Sequence, residues 1–275
     1  MPKISSSSPP EWPEAIDLHQ AYQGKLTRSL QQFWLPGLAS GVVAGIIGSS
    51  GSGKSWLALL LAHDWAVSSR LSGQHIMRTG RIGYVALEAG HELPKRLEAI
   101  GSRLSLTQRR QAEQTLLCLD WSESPTDWEL QYNRLAVVAN NTDLIIVDNL
   151  RRLHPFDENS NEDMSRVMSR LQILAGQTHT TLLILHHTPL TLETNPTTSL
   201  RGRGAGVITN TLRWVASLRQ KEGVHVLTVE VAHEQVAPGT ELGQFIFDES
   251  TEVFRPLAYQ QTMYSLKNFE EDAND

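Results

Sequence analysis

The chain has 275 residues, 40% of them hydrophobic, with a formal net charge of -6 and a single cysteine. This length suits one large α/β domain with short extensions, and the acidity argues against a broad, non-specific nucleic-acid surface while leaving room for a narrow basic channel. One cysteine excludes an intrachain disulfide and fits a reducing cytosol; no apolar run is long enough to span a bilayer and no secretory leader pattern opens the chain, so a cytoplasmic protein without a membrane partner is expected.

Residues 1–33 read as an N-terminal arm. Ser5-Ser6-Ser7-Ser8-Pro9-Pro10 is low in complexity, and 17–33 could form a short helix. Trp34-Leu35-Pro36-Gly37 then makes a turn. The tryptophan and proline would either cover a ligand or a neighbouring chain, or simply pack in the core. Next comes Val42-Val43-Ala44-Gly45-Ile46-Ile47, an apolar run that predicts a buried strand. Gly48-Ser49-Ser50-Gly51-Ser52-Gly53-Lys54-Ser55 fits G-x-x-x-x-G-K-[ST], and 56–62 predicts a helix. A strand, a glycine turn and a helix N-terminus form the geometry that binds phosphate: backbone N–H groups converge on the oxygens and the helix dipole adds positive potential. Lys54 would reach the β- and γ-phosphates, and the Ser55 hydroxyl would ligate Mg²⁺.

Regular alternation follows. Strands are expected at 81–87, 115–119, 144–147 and 181–185, and helices at 92–100, 125–139 with Thr126 as N-cap, and 162–175. Leu93, Leu97 and Ile100 share one face of the first of these helices, and Gly101 suits its end. Cys118 reads as filler in a buried strand. Such alternation implies a mostly parallel central sheet covered on both faces. The pattern changes after His187: 188–206 is a long polar loop, and 211–218, 224–232 and 244–247 read as antiparallel strands, with Glu222-Gly223 turning the first pair. The domain would run over 34–258, leaving 259–275 as an acidic tail that ends Glu270-Glu271-Asp272-Ala273-Asn274-Asp275.

Candidate chemistry gathers at predicted strand ends. Asp148 closes Leu144-Ile145-Ile146-Val147 and would hold the Mg²⁺ shell, unless it merely caps a turn. The next residue is Asn149, where AAA+ proteins commonly carry glutamate, so Glu88 at the end of the 81–87 strand becomes the candidate for polarising water; otherwise it is a solvent-facing carboxylate. His186-His187 ends a third strand, where a polar side chain can contact the γ-phosphate, His187 being the better placed; a satisfied histidine pair or a metal site is the alternative, without the further ligands zinc needs. Arg213, on the 211–218 strand, is an arginine finger or a surface arginine. Arg201 and Arg203 suit contacts to a nucleic-acid backbone, or lie solvated in the loop.

The P-loop, Ala86-Leu87-Glu88, Lys95-Arg96-Leu97, Asp148-Asn149-Leu150-Arg151-Arg152-Leu153-His154, His186-His187 and Leu212-Arg213-Trp214 together resemble RecA-like hexameric replicative helicases of the plasmid RepA type, relatives of the DnaB helicase core. The resemblance covers roughly residues 34–235. It implies a RecA-like P-loop fold, Glu88 as catalytic base, Arg213 acting on a neighbour's ATP in a homo-oligomeric, hexameric ring, Arg96 near the phosphates, Mg²⁺ as cofactor, and single-stranded DNA with a replication initiator or primase as partners. One departure concerns Val231-Ala232-His233-Glu234, where the family often carries a basic residue that reaches the same phosphate; His233 is the only substitute there. The acidic Phe156-Asp157-Glu158-Asn159 is also poor material for a DNA loop. Three functions fit: a DNA helicase or translocase, a nucleotide-switched assembly factor that does not unwind, and a small-molecule kinase, for which no acceptor site is identifiable.

Overall fold

A computed structural model describes residues 32–187, 205–232, 236–248 and 253–257. Phe33–Leu35 (β1) turns at Pro36-Gly37 into Leu38–Ala39 (β2). Trp34 and Leu35 are fully buried, the Trp34 indole donates to Thr181 Oγ1 at 2.9 Å, and the Trp214 indole donates to the Pro36 carbonyl at 3.1 Å. Core packing is therefore the role of this turn, which holds Trp34 inside and accepts the indole N–H of Trp214.

The main sheet begins with Val43–Gly48 (β3), followed by the helix Lys54–Val67 (α1), Ile82–Ala86 (β4), a 3₁₀ turn at Gly90–Glu92, and the helices Leu93–Gly101 (α2) and Leu106–Thr115 (α3). Leu116–Asp120 (β5), Trp128–Ala139 (α4), Leu144–Asp148 (β6), the short Leu150–Leu153 (α5), Asn161–Thr178 (α6) and Thr181–His187 (β7) continue the alternation. After Ala205–Thr211 (α7) come Trp214–Lys221 (β8), Val224–Ala232 (β9), Glu241–Asp248 (β10) and Val253–Pro256 (β11). Among the described residues the sheet has nine strands in the order β11-β10-β9-β8-β3-β7-β6-β4-β5. From β8 to β5 every pairing is parallel, and from β8 outward to β11 every pairing is antiparallel.

Two apolar cores flank the sheet. Ala44 and Ile46 of β3 face one side with α1, while Val43 and Ile47 face the other with α4 and α6. The strand alternates because successive side chains point to opposite faces. Helix α1 is apolar almost all round and is buried on nearly every face, as such a helix must be. At the tip of the β8–β9 hairpin, Glu222 and Gly223 have φ of 52° and 80°, the pair of positive values that a two-residue type I′ turn requires.

Several expectations change. The N-cap of α4 is Asp127, whose carboxylate accepts from Leu130 N at 2.7 Å, in place of Thr126. The segment 106–115 is a helix with a Ser105–Gln108 capping box. The 188–206 loop ends earlier than expected, because 205–211 is helical. Strand β8 starts at Trp214, so Arg213 sits in the bend before it. Strand β11 has no counterpart in the sequence reading. Cys118 lies half-buried on the edge strand β5, where burial pushes its thiol up to about 12.

Candidate nucleotide site

Six parallel strands bring their C-terminal ends to one edge of the sheet, the edge where open α/β sheets bind ligands. Four of those ends carry the candidate chemistry. The P-loop leaves β3 with Gly51 and Gly53 at φ of 78° and 86°, in the left-handed region that glycine alone adopts cheaply. Gly53 is the N-cap of α1 and brings no side-chain hydrogen bond, so the first N–H groups of α1 stay available to an anion. The loop is braced from behind. His225 Nδ1 donates to the Ser52 carbonyl at 2.9 Å, and the Phe254 ring lies against Gly53.

Lys54 is buried and folds back on its own loop. Its Nζ donates to the carbonyls of Gly48 at 2.9 Å and Ser49 at 2.7 Å, and reaches Ser52 Oγ at 3.4 Å and His187 Nδ1 at 3.3 Å. Burial lowers its pKa to about 8 against the pull of the Asp148 and Glu88 carboxylates. Asp148 is buried at the end of β6. It accepts from the Tyr84 hydroxyl at 2.5 Å and is hydrogen-bonded to Ser55. Burial raises its pKa, while those two hydroxyls, Arg96 and Lys54 oppose the rise. A Ser hydroxyl beside one carboxylate is the hard-oxygen donor set that suits Mg²⁺, which takes few protein ligands and completes its shell with phosphates and water. Among the described residues no group of three or more His, Cys, Asp or Glu side chains is arranged to hold a metal ion by itself.

Glu88 stands one residue beyond Leu87, whose N–H donates to the Asp148 carbonyl at 2.6 Å and keeps the two strand ends in step. Its carboxylate is exposed on one side, and its Oε2 accepts from Asn149 Nδ2. His187, the last residue of β7, approaches Asn149 Nδ2 at 3.2 Å and Glu88 Oε2 at 4.0 Å through its Nε2. Burial and Lys54 lower its pKa, opposed by Glu88 and Asp148. The Asp148–Asn149 peptide is cis. The structure thus brings Lys54, Ser55, Asp148, Glu88 and His187 into one cluster.

The remaining candidates divide. Arg96 pairs with Glu92 and lies 5.6 Å over the Trp56 ring, close enough to Asp148 to act on its charge. Arg213 is exposed, and its N–H donates to the Val43 carbonyl at 3.1 Å, at the opposite end of β3 from the P-loop. Five strand steps separate Val43 from Gly48, about 17 Å at ~3.3 Å each. Among the described residues the Arg213 side chain has no hydrogen-bond or ion-pair partner. Arg201, Arg203 and His233 lie outside the described residues. His186 points away from His187 into the interior, where its Nδ1 lies 3.7 Å from Glu158 Oε1. Glu158 is therefore turned inward from the acidic loop. Sequence reasoning missed Tyr84 as the partner of Asp148, Asn149 as a hub, and the two aromatic residues behind the P-loop. For Asn149 the signal was available: a polar side chain directly ahead of a helical turn is a cap.

Residues 17–191 match the family model described as AAA domain. The chain belongs to the AAA domain family. Its fold is also that of two solved structures. One is the crystal structure of the RadB recombinase, with a TM-score of 0.53 and 17% identity over 79% of this chain and 91% of that one. The other is the structure of an ATPase domain, with a TM-score of 0.57 and 11% identity over 87% of this chain and 97% of that one. At such identity the likeness concerns the fold, and that fold is RecA-like. This AAA domain is accordingly a P-loop ATPase core with C-terminal antiparallel strands, and the family boundary at 191 falls just after His186-His187.

Proposed function

We propose that this protein is an ATP-driven, ring-forming DNA helicase or translocase that acts on single-stranded DNA in the replication of a plasmid or another mobile element, with an initiator or primase as partner. The observation that carries the ring is the placement of Arg213. An exposed arginine, without a side-chain partner among the described residues and about 17 Å from its own P-loop, cannot serve the nucleotide bound there, since its side chain is far shorter than that distance. It can serve a nucleotide presented by an adjacent subunit.

In this reading Lys54 turns from the Gly48 and Ser49 carbonyls to the terminal phosphates. Glu88 takes a proton from the attacking water through Oε1, which Asn149 leaves free. His187 contacts the γ-phosphate and lies directly before the 188–204 segment, which holds Arg201 and Arg203, the residues assigned to the DNA backbone. Ser55 and Asp148 would hold Mg²⁺, whose contribution is to neutralise charge on the β- and γ-oxygens. Arg213 of one subunit stabilises charge on the phosphoryl group held by the next.

The test combines ATP turnover with and without single-stranded DNA, displacement of an annealed strand, and electron micrographs with an ATP analogue and an oligonucleotide. DNA-stimulated turnover, strand displacement and closed rings are expected. Turnover indifferent to DNA, without displacement, would replace this reading by a RecA-like nucleotide-switched ATPase that assembles with protein partners.

A further inference from the structure

We propose that Asn149 is a positioning residue of the hydrolytic centre, whose single amide group orients Glu88 and decides which nitrogen of His187 carries the hydrogen. This rests on the ATPase reading of the same site. Asn149 is 2% exposed and uses its whole side chain. Oδ1 accepts from the Arg152 N–H at 3.3 Å, one Nδ2 hydrogen goes to Glu88 Oε2, and the other faces His187 Nε2 at 3.2 Å. The amide orientation is fixed by these partners. Turned over, Oδ1 would face the Glu88 carboxylate and Nδ2 would face an N–H, two repulsive contacts.

His187 consequently lies between two donors, Lys54 Nζ at Nδ1 and Asn149 Nδ2 at Nε2. A neutral imidazole accepts at only one nitrogen. With Lys54 in place, its ammonium competes for the Nδ1 lone pair at 3.3 Å, although it also has oxygens at 2.7, 2.9 and 3.4 Å. Among the described residues Asn149 has no other acceptor for its second hydrogen, and buried amide N–H groups are seldom left unpaired. When Lys54 is drawn to phosphate, Asn149 Nδ2 remains as the donor beside the ring, so Nε2 is the acceptor and Nδ1 carries the hydrogen. That Nδ1–H then points to the side of the P-loop that Lys54 has left. The other end of the amide holds Glu88 by Oε2 and leaves Oε1 for water. One side chain thereby sets both the base and the histidine, the outer-sphere role that fixes a tautomer in many sites.

The test compares Asn149→Ser with Asn149→Asp. Both keep an acceptor for Arg152, and Asn, Asp and Ser are near-equal N-caps. If Asn149 only caps α5, both variants turn over ATP like the parent. If it positions, Ser lowers kcat about 10-fold and Asp about 100-fold, with KM within threefold, because Asp replaces both donors by acceptors, repels Glu88 and draws the His187 hydrogen to Nε2. The unfolding midpoint of Asn149→Ser should stay near that of the parent, while Asn149→Asp, which buries a further carboxylate beside Glu88 and Asp148, should melt lower. A second readout needs no turnover. In ¹⁵N-histidine-labelled protein saturated with a non-hydrolysable ATP analogue, the ring signals that vanish in His187→Gln identify His187. They should report Nδ1–H in the parent and Nε2–H in Asn149→Asp. An Nε2–H tautomer in the parent, or parent-like kcat in Asn149→Asp, overturns the proposal. If the parent itself turned over no ATP, the ATPase reading would fail, and the tautomer measurement would still decide the assignment of Asn149.

Discussion

Lys54 Nζ and His187 Nδ1 lie 3.3 Å apart although 133 residues separate them in the chain. The β3–β7 pairing makes this possible, since Gly48 and His187 are partners in register. The P-loop lysine and the histidine that precedes the 188–204 segment are thus in contact.

Lys54→Ala should abolish ATP hydrolysis and weaken nucleotide binding, because no other cationic side chain lies within the P-loop. Equilibrium binding of a fluorescent ATP analogue, read beside turnover, checks both parts. Parent-like turnover would remove the P-loop assignment.

Glu88→Gln should bind ATP normally and lose most of its turnover. The amide keeps the shape of the side chain but cannot take a proton from water, and general bases contribute ~10²–10⁴-fold. If kcat stays within threefold of the parent, the base lies elsewhere.

Arg213→Ala should bind ATP and hydrolyse it poorly, with a loss of ~10³–10⁵-fold in keeping with other arginine fingers. The decisive step is mixing. Arg213→Ala subunits keep a good P-loop and Lys54→Ala subunits keep a good finger, so mixed rings should recover activity that neither variant has alone. With subunit exchange verified by a labelled-subunit assay, a dead mixture would count against action across the interface.

Acid should loosen the fold through two buried histidines. His154 and His186 have pKa values of about 4, lowered first by burial, with Arg151 acting on His154 and His187, Lys54 and His154 acting on His186. Their ordinary value is ~6.5, so the unfolded chain binds more protons between that pH and about 4. Stability is therefore full above that window and is lost as the pH falls through it, by up to about 3 kcal/mol for each histidine. Glu158, its carboxyl raised by burial, offsets part of this loss at the acid end. Thermal melts at pH 7.5 and pH 5 should lie closer together in His154→Asn and His186→Asn than in the parent.

Gly53→Ala should destabilise the protein by about 1–3 kcal/mol and impair nucleotide binding. Gly53 has a φ of 86°, and a Cβ there would overlap the Phe254 ring. In a urea titration, Phe254→Leu placed in the same chain should restore the part due to overlap and leave the part due to backbone conformation.

What could be read from the sequence followed the strength of local signals. The P-loop, Asp148 and Glu88 were legible because each closes an apolar run, and the parallel alternation places such ends together. Helix α3 escaped because none of its residues is buried, leaving only the Ser105–Gln108 cap to announce it. Arg213 was legible as a residue but not as a place: the bend before β8 and the β3 pairing set its distance from the P-loop, and neither has a local signature. Trp34 was ambiguous for a similar reason, since its partner Thr181 is 147 residues away. The Asn149 hub joins Glu88, His187 and Arg152, and only the sheet order brings the first two to it.

The Phe254 ring against Gly53 joins an early element of the domain to the last strand among the described residues. A chain emerging from the ribosome can complete the motif at 48–55 some two hundred residues before that ring is synthesised. Until then the back of the phosphate loop is bare, and His225 is missing for most of the interval as well. The wall behind the loop is therefore complete only once residue 254 has been made, long after the residues that would touch phosphate.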